Sequence, residues 1–135
     1  MKLIEASHVN RDRLEDFLKN NNQIEIGSLL ETGFVVEVDE RIIGCFELAP
    51  IEKGAFWLKQ LYIIQNEAVK LPVLLEFILA FAKQKEAKVV YAHSAQPVTD
   101  LLLESLSFSL QSNQSLKVQK AVKQKGHWWS YKYAN

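Results

Sequence analysis

Glycine is scarce in this chain: five in 135 residues, none of them between Gly54 and Gly126. A phosphate-contacting turn in that stretch would lack the residue that best lets backbone amides approach phosphate oxygens. Cysteine is rarer still. Cys45 stands alone, which excludes an internal disulfide and makes a reducing, cytoplasmic setting the expectation. No apolar run reaches the roughly 18 residues of a membrane span; the longest, Leu71 to Ala82, is broken by Glu76, so no membrane partner is expected. The first residues, Met1-Lys2-Leu3-Ile4-Glu5, lack the apolar segment of a secretion signal. His8, His93 and His127 lie far apart without cysteine or carboxylate at ligand spacing, so no metal site is expected. Net charge is also absent. Sixteen basic and sixteen acidic residues cancel, which argues against a general nucleic-acid binder.

What is present is enough apolar material, 48% of residues, for a single domain spanning 1–135 with a substantial core. The charge is unevenly placed. Residues 1–104 hold 11 Lys/Arg and 16 Asp/Glu, whereas residues 105–135 hold five lysines and no acid. Such a tail is either a solvated basic hairpin or a place for an anionic group.

The hydrophobic pattern changes period along the chain. A short strand over 2–6 precedes a helix over Arg11 to Lys19. Asn10 caps that helix, and Val9 with Leu14 forms a hydrophobic staple. A second, shorter helix uses Ile24, Ile26, Leu29 and Leu30. Residues 33–64 then read as a three-stranded antiparallel meander. Its strands are Phe34 to Val38, Arg41 to Leu48 and Ala55 to Ile64, with turns at Asp39-Glu40 and over Ala49 to Gly54. After a polar loop, Gln65 to Lys70, Pro72 suits a helix's first turn, and Leu74, Leu75, Ile78, Leu79 and Ala82 form one apolar face. Lys88 to His93 is a short strand, parallel to the one before the helix. Pro97 opens a last helix with Val98, Leu101, Leu102 and Leu106 turned inward, and the tail supplies strands at Leu116 to Val118 and Trp128 to Tyr133. The class is α/β, a mixed and mostly antiparallel sheet flanked by helices.

This element order, with Trp57-Leu58-Lys59-Gln60-Leu61-Tyr62-Ile63 as a fourth strand, Val89-Val90-Tyr91-Ala92-His93 as a fifth, and Leu101 to Phe108 closing the helix after it, resembles the GCN5-related N-acetyltransferase (GNAT) family. The resemblance implies a GNAT-like fold and acetyl-CoA as substrate, bound where the fourth and fifth strands part. Leu61, Tyr62 and Ile63 would hold the pantetheine arm. The turn of Gln65, Asn66, Ala68, Val69, Lys70 and Leu71 would receive the pyrophosphate, since unbonded N–H groups and the positive end of a helix dipole favour an anion. The chain departs from the family pattern at several points. Glu67 and Pro72 occupy the phosphate turn. Leu103 stands where a tyrosine often protonates the leaving thiolate, Gln96 replaces an asparagine, and Ser107 replaces a glycine. The fourth strand carries Lys59 and Gln60 in place of a carboxylate.

Acetyl transfer to an amine needs a polarised carbonyl and a proton acceptor. Glu47, in an apolar strand, is the first candidate base; its ordinary reading is a solvated or ion-paired strand end. His93, at the end of the fifth strand, is the second; its ordinary reading is a cap on the strand-to-helix loop together with Ser94. Tyr62 and Tyr91 could supply a phenol but read equally as sheet residues, and Cys45 reads as a small core residue. Trp128, Trp129, Tyr131 and Tyr133 suit core packing, an acceptor pocket or a homodimer contact. Two functions stay open. One is an acyl-CoA-dependent N-acetyltransferase acting on a small-molecule or peptide amine by direct transfer. The other is a non-catalytic binding or regulatory module on the same fold.

Overall fold

The computed structural model describes residues 1–111 and 125–134. Seven strands form one sheet in the order β1-β2-β3-β4-β5-β7-β6. They are β1 (Lys2–Glu5), β2 (Gly33–Val38), β3 (Arg41–Glu52), β4 (Ala55–Ile63), β5 (Val89–Ser94), β6 (Ser109–Gln111) and β7 (His127–Lys132). The helices are α1 (Arg11–Leu18), α2 (Ile26–Thr32), α3 (Leu71–Gln84) and α4 (Pro97–Ser105), with 3-10 turns at Ala6–His8 and Gln65–Lys70. β4 and β5 pair in parallel, while β1–β2, β2–β3, β5–β7 and β6–β7 pair antiparallel. This is the mixed, mostly antiparallel α/β class read from the sequence. Two compact units divide the chain: Met1–Ala49 with Lys59–Leu71, and Pro50–Leu58 with Pro72–Asn135.

In the first unit Asn10 caps α1 as expected, its side chain accepting from the Arg13 N–H at 3.2 Å. Leu14 and Leu18 turn into a core with Ala6, Leu29, Val35, Ile42 and Cys45, and Val9 packs against it. The Asp39-Glu40 turn has both residues in the left-handed region, φ +50° and +64°, the geometry that matches strand twist in a two-residue hairpin. Neither residue is glycine, so the turn needs support. Arg13 Nη2 donates to the Glu40 carbonyl at 2.8 Å and to Glu37 Oε2 at 2.9 Å.

β3 runs to Glu52 rather than stopping at Leu48, and the expected turn over Ala49 to Gly54 contracts to Lys53-Gly54. Gly54 takes φ +79° there. Pro50 does not end the strand, because a proline whose missing N–H falls outside the ladder is compatible with a strand. Gly44, in the buried middle of β3, allows a close approach: a Cβ there would lie 2.6 Å from the Tyr62 carbonyl oxygen of β4. That oxygen is backbone and cannot swing aside. Gly44→Ala is therefore expected to cost about 2–3 kcal/mol, the upper part of the overpacking range. Chemical denaturation checks this, and an unchanged midpoint would refute the close approach.

In the second unit the apolar face of α3 is as read, with Leu74, Leu75, Ile78, Leu79 and Ala82 all buried. α4 is rotated from its expected phase. Val98 and Leu101 are exposed, at 77% and 69%, whereas Leu103 is buried. The cause is polar: the buried Trp129 indole N–H donates to Asp100 Oδ1 at 2.8 Å, which turns the Asp100–Leu103 face inward. β6 was not foreseen, and the strand expected at Leu116 to Val118 lies outside the described residues.

Candidate active site

Glu47 is fully buried near the middle of β3, and its carboxylate is surrounded by donors from two other elements. α2 places Ser28 and Thr32 one helical turn apart on one face. Their hydroxyls donate to Glu47 Oε1 at 2.8 and 2.7 Å. Gln60 of β4 donates from Nε2 to Oε2, and Lys59 Nζ lies 3.9 Å from Oε1. Gln60 also pairs with the start of α2, its Oε1 accepting from the Glu25 N–H at 2.6 Å and its Nε2 donating to the Glu25 carbonyl at 3.0 Å. One amide side chain thus ties α2, β3 and β4 together. Beside it, Cys45 Sγ contacts the Gln60 carbonyl at 3.7 Å. Burial first, and then the charge of Glu47, push its thiol up to about 12. Cys45 is held as a thiol and is no nucleophile.

Gln60 has φ +52° inside a strand, a bulge-like kink that re-aims the chain beyond it. The β4–β5 register comprises Ala55–Leu58 opposite Val89–Ala92, and β4 continues through Ile63. Leu61, Tyr62 and Ile63 are half-buried. The Tyr62 ring packs on Phe17, with centroids 5.7 Å apart, against the core of the first unit, and its carbonyl oxygen lies against Gly44 of β3.

The turn after β4 is a 3-10 helix that runs directly into α3. The Glu67 N–H bonds the Ile64 carbonyl, and the Leu71 N–H bonds Ala68. Gln65, Asn66, Ala68 and Val69 are exposed, while Lys70 and Leu71 are half-buried. Glu67 reaches two cations: Oε1 lies 2.6 Å from Arg41 Nη2, and Oε2 lies 2.6 Å from Lys70 Nζ. The Lys70 hydrogen bond, assisted by the charges of Lys70 and Arg41, holds the Glu67 carboxyl below the usual carboxylate range.

His93 belongs to the second unit. Its ring meets Trp128 edge-on at 5.2 Å, and Gly126 lies against it: a Cβ on Gly126 would fall 2.8 Å from the ring's Cε1. Trp57 packs on the other contact of Trp128, at 5.7 Å. Burial, followed by the charge of His127, pushes the His93 imidazole below its ordinary value against the pull of Asp100. His127 Nδ1 lies 3.4 Å from Asp100 Oδ2. The Asp100 carboxyl is low despite burial, because Trp129, Ser94 and His127 all donate to it. Leu103 is buried at the position compared above with a tyrosine. Of the tail aromatics, Trp128 and Trp129 are buried, whereas Tyr131 and Tyr133 are half-buried, and Tyr133 donates its hydroxyl to the Leu79 carbonyl at 2.6 Å.

Sequence reasoning singled out Glu47 and His93 but missed their partners. Ser28 and Thr32 carried a faint signal in their four-residue spacing. Gln60 stood out only as a residue in place of a strand carboxylate, and Asp100 and Arg41 carried no signal. A surface depression of about 510 Å³ in the second unit is lined by Lys83, Ser107, Tyr131 and Tyr133 among others; it holds two of the tail aromatics but neither candidate base and none of the residues expected to hold acetyl-CoA. Among the described residues no cluster of His, Cys, Asp or Glu fits a metal ion, and no helix is long and apolar enough to cross a membrane.

No family model matches the sequence, and no curated protein does. Solved structures do match in shape. N-acetylglutamate synthase from Neisseria gonorrhoeae, complexed with coenzyme A and N-acetyl-glutamate, superposes with a TM-score of 0.77 at 14% identity. That match covers 99% of this chain, which spans only 35% of the synthase chain. A Campylobacter jejuni N-acetyltransferase in complex with acetyl coenzyme A gives a TM-score of 0.72 at 17% identity, covering 98% of this chain and 99% of that one. An acetyltransferase of the GNAT family from Staphylococcus aureus gives 0.61 at 15% identity, covering 93% and 80%. At these identities the likeness establishes architecture, and the architecture of this chain is the fold of the GCN5-related N-acetyltransferases.

Proposed function

We propose that this chain is an acyl-CoA-dependent N-acetyltransferase that moves an acetyl group directly from acetyl-CoA to an amine. The observation that carries the reading is the behaviour of β4. Its register with β5 covers only Ala55–Leu58, the kink at Gln60 follows, and the strand then continues through Leu61, Tyr62 and Ile63. A strand edge with no β5 partner presents N–H and C=O groups, and the amide-bearing pantetheine arm is a ligand that pairs with them. Gln65, Asn66, Ala68, Val69, Lys70 and Leu71 form the turn assigned to the pyrophosphate.

In the reaction a neutral amine nitrogen attacks the thioester carbonyl. The new C–N bond forms as the C–S bond breaks, the thiolate leaves and takes up a proton, and the amine gives up its proton to a base. Glu47 and His93 are the two candidates for that base. The occupied oxygens of Glu47 support a structural part for it. The lowered imidazole of His93 supports His93 as acceptor, since it is neutral near pH 7. The acceptor is a small-molecule or peptide amine.

A ligand that binds the native state stabilises it by mass action. Acetyl-CoA at a hundred times its Kd is expected to add about 2.7 kcal/mol, which thermal melting reads as a rise of several degrees. No shift at millimolar acetyl-CoA would overturn the reading. The second reading, a non-catalytic binding module, is favoured by the buried Leu103 and by the ion pairs of Glu67. A thermal shift without release of free thiol on any of a panel of amines would select it.

A further inference from the structure

We propose that Arg41 and Lys70 form an anion site for a phosphate-bearing ligand, and that this chain's own Glu67 carboxylate occupies it. The two cations come from separate segments, the first residue of β3 and the last of the 3-10 turn, and they converge on one carboxylate. Glu67 Oε1 takes Arg41 Nη2 at 2.6 Å and Oε2 takes Lys70 Nζ at 2.6 Å. The Glu67 side chain is only 14% exposed, whereas Arg41 and Lys70 are 58% and 39% exposed. The carboxylate is therefore drawn in between two cations that themselves reach solvent. Its two oxygens stand where two oxygens of a phosphate group would stand, since a guanidinium and an ammonium recognise both groups by the same charge-assisted hydrogen bonds.

An incoming phosphate must displace Glu67 from both cations or bind beside a like charge. Either route weakens it. Two amides of the glycine-free turn add nothing to compensate, because the Glu67 and Leu71 N–H groups are already bonded within it. Glu67 thus sets how tightly this turn holds phosphate. The inference uses the transferase reading only to name the natural ligand, and the site itself is testable without acetyl-CoA.

Inorganic pyrophosphate, titrated calorimetrically into the full chain, is the probe. Glu67→Gln and Glu67→Ala remove the occupant and leave both cations, so each variant should bind pyrophosphate at least about tenfold more tightly than the parent chain. Adding Arg41→Gln and Lys70→Gln to Glu67→Gln should abolish that gain. Glu86→Gln, which removes a carboxylate of the second unit, should bind as the parent does. Parent-like affinity in both Glu67 variants would overturn the proposal. So would a gain that survives loss of Arg41 and Lys70, or one that Glu86→Gln reproduces, because the effect would then be general charge. Failure of acetyl-CoA to shift the parent's melting, with pyrophosphate still tightening in Glu67→Gln, would sink the transferase reading and keep the anion site.

Discussion

Glu47→Ala is expected to cost about 3–5 kcal/mol of folding stability, the range seen when one partner of a buried charged network is removed. The arithmetic follows from the partners. The half-buried Ser28 and Thr32 hydroxyls and Gln60 amide would each lose the acceptor that the fully buried Glu47 provides. Each buried polar group left unsatisfied costs about 1–3 kcal/mol. The loss also frees Gln60, whose two hydrogen bonds to the Glu25 backbone hold β4 against the start of α2. Glu47→Gln keeps the shape and one acceptor oxygen, so it should lose less, about 1–2 kcal/mol. Urea denaturation separates the two variants. A loss below 1 kcal/mol for Glu47→Ala would show that water or neighbouring groups re-pair these donors, and that the cluster is not a structural joint.

That cluster also shows where sequence reasoning stops. Glu47 stood out because a carboxylate in an apolar strand is unusual. Its donors come from a short helix, where the four-residue spacing of Ser28 and Thr32 is only a faint signal, and from a strand residue with positive φ, which leaves no period in the sequence. The long, strongly periodic α3 was legible to the residue, because five apolar positions at helical spacing leave one way to bury them. The nine-residue α4 was not, since Leu101-Leu102-Leu103 fits two phases equally well. The Trp129–Asp100 hydrogen bond, between residues 29 apart, chose between them. Pro50 was read as punctuation although its place in β3 lets it extend a strand. Glu67 was visible as an acid in a phosphate turn, but its pairing with Arg41, 26 residues away, required the fold.

His93→Gln is expected to lower kcat/KM for acetyl transfer by at least about 10²-fold, the usual contribution of a positioned general base. Glutamine retains a polar side chain of similar length beside Trp128 and Gly126 and cannot take a proton, so melting should change little while turnover falls. The pH dependence gives an independent readout. A base works only when unprotonated, so activity should be lost as pH falls through the His93 value. Burial and His127 place that value below the ordinary histidine range of about 6.5. Asp100 pulls the other way, and the observed direction is the balance of these groups. Replacing His127 by glutamine removes the neighbouring positive charge, which makes His93 easier to protonate, and the acid limb should move to higher pH. A His93→Gln enzyme within threefold of the parent, or an acid limb unmoved in His127→Gln, would remove His93 from the chemistry. The proton would then pass to Glu47, whose isosteric Glu47→Gln variant would show the kinetic loss instead.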